Sequence, residues 1–394
     1  MPAPEPALVT ALRGSRPGRT PVWFMRQAGR SLPEYRTARA GVAMLDACLD
    51  PALAAELTLQ PVRRHGVDAA VFFSDIVVPV RQAGVAVEIR AGVGPVLENP
   101  VRSAADVAAL PAPDPDLAAV AEGVRATVAQ LGDTPLLGFA GAPFTLACYL
   151  VEGGPSKDHL RTRTLMHAAP EVWSALMAWA ADVSGAFLRT QVDAGASAVQ
   201  LFDSWAGVLS AADYRRFVAP WSARALAGLE VPVVHFAAQG GELLAELRDA
   251  AAGAVGETGA VAVGVDHRVP LDEASRRLGG RTPVQGNIDP AMLAAPWPLL
   301  AEHVRDVLRR GTAAPGHVVN LGHGVPPDTD PDVLTRIVAL VHDLADDVAG
   351  DVAVDGAVDV AGDVAVDRAA DVAADVAPDD AGDLPVDPAR DGDA

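Results

Sequence analysis

The sequence predicts an α/β fold, a (β/α)8 barrel filling residues 1–345 as a single domain, followed by a disordered acidic tail over 346–394. Three observations lead there. Eight short, apolar, β-branched runs recur along the first 345 residues. Alanine-rich stretches of helical character separate most of them, which is the alternation of a barrel with modest insertions. No G-x-G-x-x-G opens a helix after any run, and this disfavours the competing doubly wound open sheet.

The runs are PVWFM (21–25), AAVFFS (69–74), PLLGFA (135–140), ASAVQLF (196–202), VPVVHF (231–236), AVAVGV (260–265), TPVQGN (282–287) and HVVNLG (317–322). Three helix starts are explicit. Asp50-Pro51, Asp289-Pro290 and Asp330-Pro331 each place an N-cap aspartate before a proline whose missing N–H costs nothing at the first helical position. Residues 84–98 (GVAVEIRAGVGPVLE) read as a hairpin inserted after the second run.

Beyond 346 the composition changes. Aspartate recurs at every fourth position from Asp347 to Asp391, and the tail holds fifteen Asp, two Arg and no aromatic residue. A helix would stack these like charges at i,i+4, and too little apolar surface is present to bury a core, so disorder is expected. The tail carries most of the formal net charge of −20 and leaves a mildly acidic body.

Within that body one segment is cationic. Residues 13–39 hold seven arginines against the single acid Glu34. A locally basic stretch in an acidic chain suggests an anionic small ligand rather than nucleic acid. The two cysteines, Cys48 and Cys148, have neither metal-like nor paired spacing, which points to a reducing compartment. The first residues lack a secretory pattern and no apolar run reaches membrane-spanning length, so a cytoplasmic location is expected. Lys157 is the only lysine in the chain, so Schiff-base chemistry would have to use it. It follows Gly153-Gly154 in a stretch that reads as a mobile loop, a poor setting for a desolvated amine.

Barrels gather function where strands end. After the first run come Arg26 and Arg30, separated by Ala28-Gly29. Guanidinium forks match carboxylates bidentately, and the glycine permits close approach; the plainer reading is two surface arginines near Glu34. After the second run Asp75 stands in an almost wholly apolar neighbourhood. A carboxylate there is costly unless paired, which suggests a ligand N–H acceptor or a structural cap. The third run leads to Tyr149, and the fourth to Asp203, Ser204 and Trp205 without a nucleophile elbow. After the eighth, His323 lies between two glycines that leave its imidazole accessible. The nine histidines form no H-x-H or H-E-x-x-H pattern. His235 leads into Phe236-Ala237, so the H-x-C-G zinc pattern of certain barrel methyltransferases lacks its cysteine, and no metal is expected.

Together FMRQAGRSLPEYR (24–36), GFAGAPFTLACYLVEGGPSK (138–157), QGNIDP (285–290) and NLGHGVPPDTDPD (320–332) are similar to the uroporphyrinogen decarboxylase family. The similarity spans residues 7–345; the acidic tail has no counterpart, and Phe24 replaces a commoner methionine. The resemblance implies a homodimeric (β/α)8 barrel needing neither metal nor organic cofactor. It also implies conversion of uroporphyrinogen III to coproporphyrinogen III by loss of carbon dioxide from four acetate side chains. Carried over by motif, the substrate-binding positions are Arg26, Gln27, Ala28, Gly29, Arg30, Arg39, Asp75, Tyr149, Ser204 and His323, with Asp75, Arg26 and Arg30 as catalytic candidates. Two other readings compete: a corrinoid-dependent methyltransferase on the same fold, which needs zinc ligands, and a tetrapyrrole-binding scaffold without activity.

Overall fold

A computed structural model describes residues 4–90 and 92–354. Its central feature is a curled, wholly parallel sheet in which β1 (Ala70–Val71), β4 (Leu136–Gly141), β5 (Ala198–Phe202), β6 (Val233–Phe236), β7 (Val261–Gly264), β8 (Val284–Gln285) and β9 (His317–Val318) follow one another in space as in sequence. Between β1 and β4 the chain inserts the antiparallel hairpin of β2 (Val87–Arg90) and β3 (Gly94–Leu97). Except for β4, the strands are shorter than the apolar runs that encode them. β8 and β9 have only two residues each, and beyond them the two stretches meet again at the isolated parallel bridge Ile288–Leu321.

Residues 21–25 close the sheet without forming a regular strand. Val22 bridges Val319 in parallel, with Val319 N donating to Pro21 O (2.8 Å) and Trp23 N to Val319 O (3.2 Å). On the other side Asp68 N donates to Val22 O (2.8 Å). The same aspartate takes Val22 N on its side chain (2.9 Å), an ion pair from Arg19 (2.5 Å) and a contact from His342 of the C-terminal helix (2.8 Å). One buried carboxylate thus holds the closing segment to both the second barrel segment and the last helix.

The barrel interior is apolar but crossed by a polar chain. Trp23 Nε1 donates to Gln285 Oε1 (3.1 Å), Gln285 Nε2 to Gln200 Oε1 (2.9 Å), and Gln200 Nε2 to Met25 Sδ (3.5 Å). All are fully or almost fully buried. Each buried amide must be paired, so this chain selects the register of the closing segment against β8 and β5.

The three aspartate caps form as expected. Asp50 accepts from Ala52 N and Leu53 N (3.0 Å each), Asp289 from Ala291 N (2.9 Å), and Asp330 from Asp332 N (3.0 Å). Asp289 starts only a short 3-10 turn, Pro290–Ala294. The helix after Asp330 runs from Pro331 to Val354. Once nucleated at its cap, a helix propagates at little cost through residues of adequate propensity. The acidic repeat from 355 onward lies outside the described residues. Among the described residues no helix is long and apolar enough to cross a membrane.

Replacing Gln285 by leucine leaves the Trp23 indole N–H and the Gln200 amide oxygen without partners. A loss of roughly 2–4 kcal/mol of stability is expected from two orphaned buried groups, measured by urea unfolding.

Candidate active site

At the end of the barrel where the strands terminate, a cavity of about 950 Å³ opens. It lies at the upper end of the roughly 300–1,000 Å³ typical of ligand pockets. Arg26, Ala28, Gly29, Arg30, Arg39, Asp75, Tyr149, Ser204 and His323 all line it, although they come from five separate stretches of sequence.

Barrel closure brings the first and last of these stretches together. Met25 N donates to Asn320 Oδ1 (2.9 Å), Leu321 N to the same oxygen (2.8 Å), and Val325 N returns to Met25 O (2.9 Å). Arg26 and His323 therefore share one wall. Arg26 adopts φ +62°, a left-handed backbone that non-glycine residues rarely take and that the surrounding bonds must enforce. Gly324 accommodates its side chain, since a Cβ there would run into the aliphatic part of Arg26.

The structure gives Gln27 a different task from the one expected. It is not among the cavity-lining residues; its Oε1 accepts from Phe24 N (3.0 Å) and its Nε2 donates to Ala69 O (3.1 Å), all in the buried interior. A side chain whose donor and acceptor are both consumed by the backbone braces the MRQAGR turn against β1. Conversely, Arg36 lines the cavity and sequence reasoning missed it. The signal was its membership of the same arginine-rich segment.

Glu34 does not neutralise these arginines. Its carboxylate makes a two-pronged contact with Arg64 (2.6 and 2.8 Å) on the helix Pro51–His65, which holds its pKa below the ordinary value. Among the described residues none of Arg26, Arg30, Arg36 and Arg39 forms a salt bridge, whereas most other arginines pair with a carboxylate. Arg39 is the most telling. Its Nη1 rests on the Met44 thioether (2.7 Å), its guanidinium lies 5.7 Å from the Tyr35 ring centroid, and its buried Nε has no partner. Five donors with only a weak acceptor at hand are poised for an anion.

Asp75 supplies the opposing charge. The loop that carries it is held where Phe73 N donates to Thr58 Oγ1 (2.8 Å). Burial raises its pKa above the usual carboxylate value, opposed by the Val77 N–H (3.0 Å) and by the charge of Arg26. Neither the capping bond nor the arginine satisfies it fully. Tyr149, whose ionisation is disfavoured by burial and then by Asp75, remains a neutral donor beside it. Burial, then the charge of Arg26, lowers the pKa of His323, so its imidazole is neutral near pH 7.

Behind Ser204 a second carboxylate is wholly buried. Asp203 accepts from Thr145 Oγ1 (3.0 Å), its other oxygen has no partner, and the Tyr214 hydroxyl lies beside it. Desolvation raises its pKa to about 7. His235 sits deeper, its Nδ1 on Leu247 O (3.0 Å) and its Nε2 3.4 Å from Tyr214. A carbonyl can only accept, so the proton is on Nδ1 and His235 serves the fold. Among the described residues no three His, Cys, Asp or Glu gather as metal ligands.

Fold and site define a parallel (β/α)8-barrel protein whose strand-end cavity is furnished with free guanidiniums around one half-buried carboxylate. The family model "Uroporphyrinogen decarboxylase (URO-D)" matches residues 3–344. A curated uroporphyrinogen decarboxylase of Arthrobacter sp. (strain FB24) is 65% identical over 342 residues, covering 86% of this chain and 97% of its own. That of Leifsonia xyli subsp. xyli is 62% identical over 360 residues, covering 85% and 93%. Among solved structures a methyltransferase from Methanosarcina mazei has a TM-score of 0.69 at 18% identity, covering 86% of this chain and 98% of its own. The last likeness shows the shared fold alone. The chain belongs to the uroporphyrinogen decarboxylase family.

Because Asp203 binds its proton more tightly folded than unfolded, its contribution to stability is complete at acid pH and is lost as pH rises through about 7. Asp203→Asn keeps the Thr145 bond and removes the charge. The melting temperature of this variant is expected to gain on wild type progressively between about pH 4 and 7 and to level off above that, read by differential scanning fluorimetry.

Proposed function

We propose that this chain removes carbon dioxide from the four acetate side chains of uroporphyrinogen III, giving coproporphyrinogen III, with neither metal nor organic cofactor. The observation that carries this reading is the set of unpaired guanidiniums facing a single half-buried carboxylate in a cavity large enough for a macrocycle. The substrate is a polyanion whose pyrrole N–H groups point inward, so it needs cations at its rim and an anion at its centre. The family resemblance further supports a homodimer acting in the cytoplasm.

Arg26, Arg30, Arg36 and Arg39 neutralise and orient carboxylate arms, each charge-assisted bond contributing roughly 1.5–3 kcal/mol in a shielded site. Tyr149, Ser204 and His323 add neutral hydrogen bonds, and Ala28 and Gly29 let the substrate approach the backbone. Binding alone does not break a carbon–carbon bond. A proton added to a pyrrole ring carbon creates an iminium-like electron sink. The acetate C–C bond then breaks towards the ring, carbon dioxide leaves, and the resulting exocyclic methylene takes a proton to become the methyl group. Loss of the first proton restores the pyrrole, so each turn consumes one proton net.

Ionised Asp75 accepts the pyrrole N–H groups and stabilises the ring cation, an interaction stronger in the transition state than in bound substrate. For the ring protonation, Arg26 delivers its charge to the site, but a guanidinium is too weak an acid to act alone. A water held by Arg26 and Arg30 is the donor this reading favours. Neutral His323 fits a binder better than a proton donor.

Anaerobic incubation with uroporphyrinogen III is the direct test: stoichiometric release of four carbon dioxide molecules is expected, and binding without release would support the scaffold reading. In Asp75→Asn, kcat is expected to fall on the order of 100-fold or more with a much smaller change in KM; equal activity would remove Asp75 from this role. The wild-type acid limb should lie above the ordinary aspartate value of about 3.9, since activity requires the ionised form of a carboxylate whose pKa is raised. His323→Gln is expected to keep the shape of the pH–rate profile while raising KM; loss of a limb would make the histidine the donor.

A further inference from the structure

A second compartment of about 400 Å³ adjoins the main cavity and is not accounted for by the chemistry above. Ser204 and His323 line both spaces, so the two meet at that edge. The partition between them is aromatic. The Tyr149 ring lies 4.2 Å from Trp205, and Trp205 in turn stacks on buried His159 at 4.4 Å with a 29° interplanar angle. Burial keeps His159 neutral, and its Nδ1 has no protein partner.

The compartment is cationic on balance. Its one acid, Asp266, is consumed by Arg268, which contacts it through Nε (3.2 Å), Nη2 (3.1 Å) and backbone N (3.0 Å). Exposed Lys157 forms no salt bridge among the described residues, and His267 adds a further donor. The only lysine of the chain, poor as a nucleophile, therefore stands uncompensated beside the substrate cavity.

Charge matching identifies the occupant. Uroporphyrinogen carries eight carboxylates, and the four unpaired guanidiniums of the main cavity all arise from residues 26–39, one part of its wall. Of those four only Arg26 shares a wall with His323, and none lines the second compartment that an arm projecting past Ser204 would enter. An acetate due to react must stay close to Asp75, whereas a propionate keeps its carboxylate through all four turns and is the arm that can occupy the second compartment throughout. We infer that the second compartment binds a propionate arm of the tetrapyrrole held in the main cavity, with Lys157 as its counter-ion. The inference rests on the decarboxylase reading and extends it to how the macrocycle is oriented.

Lysine 157 lies on the surface, so Lys157→Met is not expected to disturb folding, and an unchanged melting temperature checks this. Two quantities test the inference: the Kd of coproporphyrinogen, which retains propionates but no acetates, and the KM for uroporphyrinogen. Both are expected to rise about five- to tenfold in Lys157→Met, with kcat at saturation within about twofold, a weaker dependence of KM on salt, and substantial recovery in Lys157→Arg. Unchanged Kd and KM would overturn the inference while leaving the decarboxylase intact. A rise in KM for uroporphyrinogen with unchanged Kd for coproporphyrinogen would also overturn it, because the arm would then be an acetate. A wild-type protein that neither binds coproporphyrinogen nor decarboxylates uroporphyrinogen would remove the functional reading and this inference with it.

Discussion

Barrel closure by residues 21–25 is the constraint on which the site depends. This segment is joined to β9 and to Asp68 by a few backbone bonds rather than by a full ladder. Side chains supply what the ladder lacks: Asp68 on Val22, Asn320 on Met25, Gln27 on Phe24 and Ala69. Immediately past the closure the backbone turns through the left-handed Arg26 and delivers the arginines to the cavity. Most of the groups that hold this seam are themselves buried, so losing one leaves its partner without water as a substitute.

Electrostatic frustration distinguishes the cavity from the remaining surface. Elsewhere among the described residues most arginines are matched, as Arg64 is by Glu34, Arg224 by Asp182 and Arg310 by Asp272. At the strand ends four guanidiniums lack carboxylate partners, and a carboxylate whose pKa is raised by burial sits opposite Arg26. Neither arrangement stabilises the free protein. A ligand that brings anions to the rim and a developing cation to the centre relieves both at once, and that complementarity is stronger for a charged ring than for a neutral one.

The same barrel in a methyltransferase only 18% identical shows how little of the chemistry resides in the fold. What separates the two possibilities in this chain is particular side chains. The histidine that would begin a zinc motif is committed to Leu247 and Tyr214 instead. The family assignment adds the substrate that the cavity alone leaves open.

By itself the sequence determined the barrel, the aspartate caps, the hairpin insertion and the concentration of arginine in one segment, because periodicity, capping and charge density are local properties. Strand-end position also singled out Asp75, Tyr149, Ser204 and His323, since a polar residue interrupting an apolar run is conspicuous without coordinates. The tertiary structure alone decided which polar groups are already spent. Gln27 is a brace and Arg36 a lining residue, Glu34 turns to Arg64, and Lys157 stands beside a second compartment. A side chain's partner is chosen by residues tens or hundreds of positions away, and spacing along the chain carries no record of that choice.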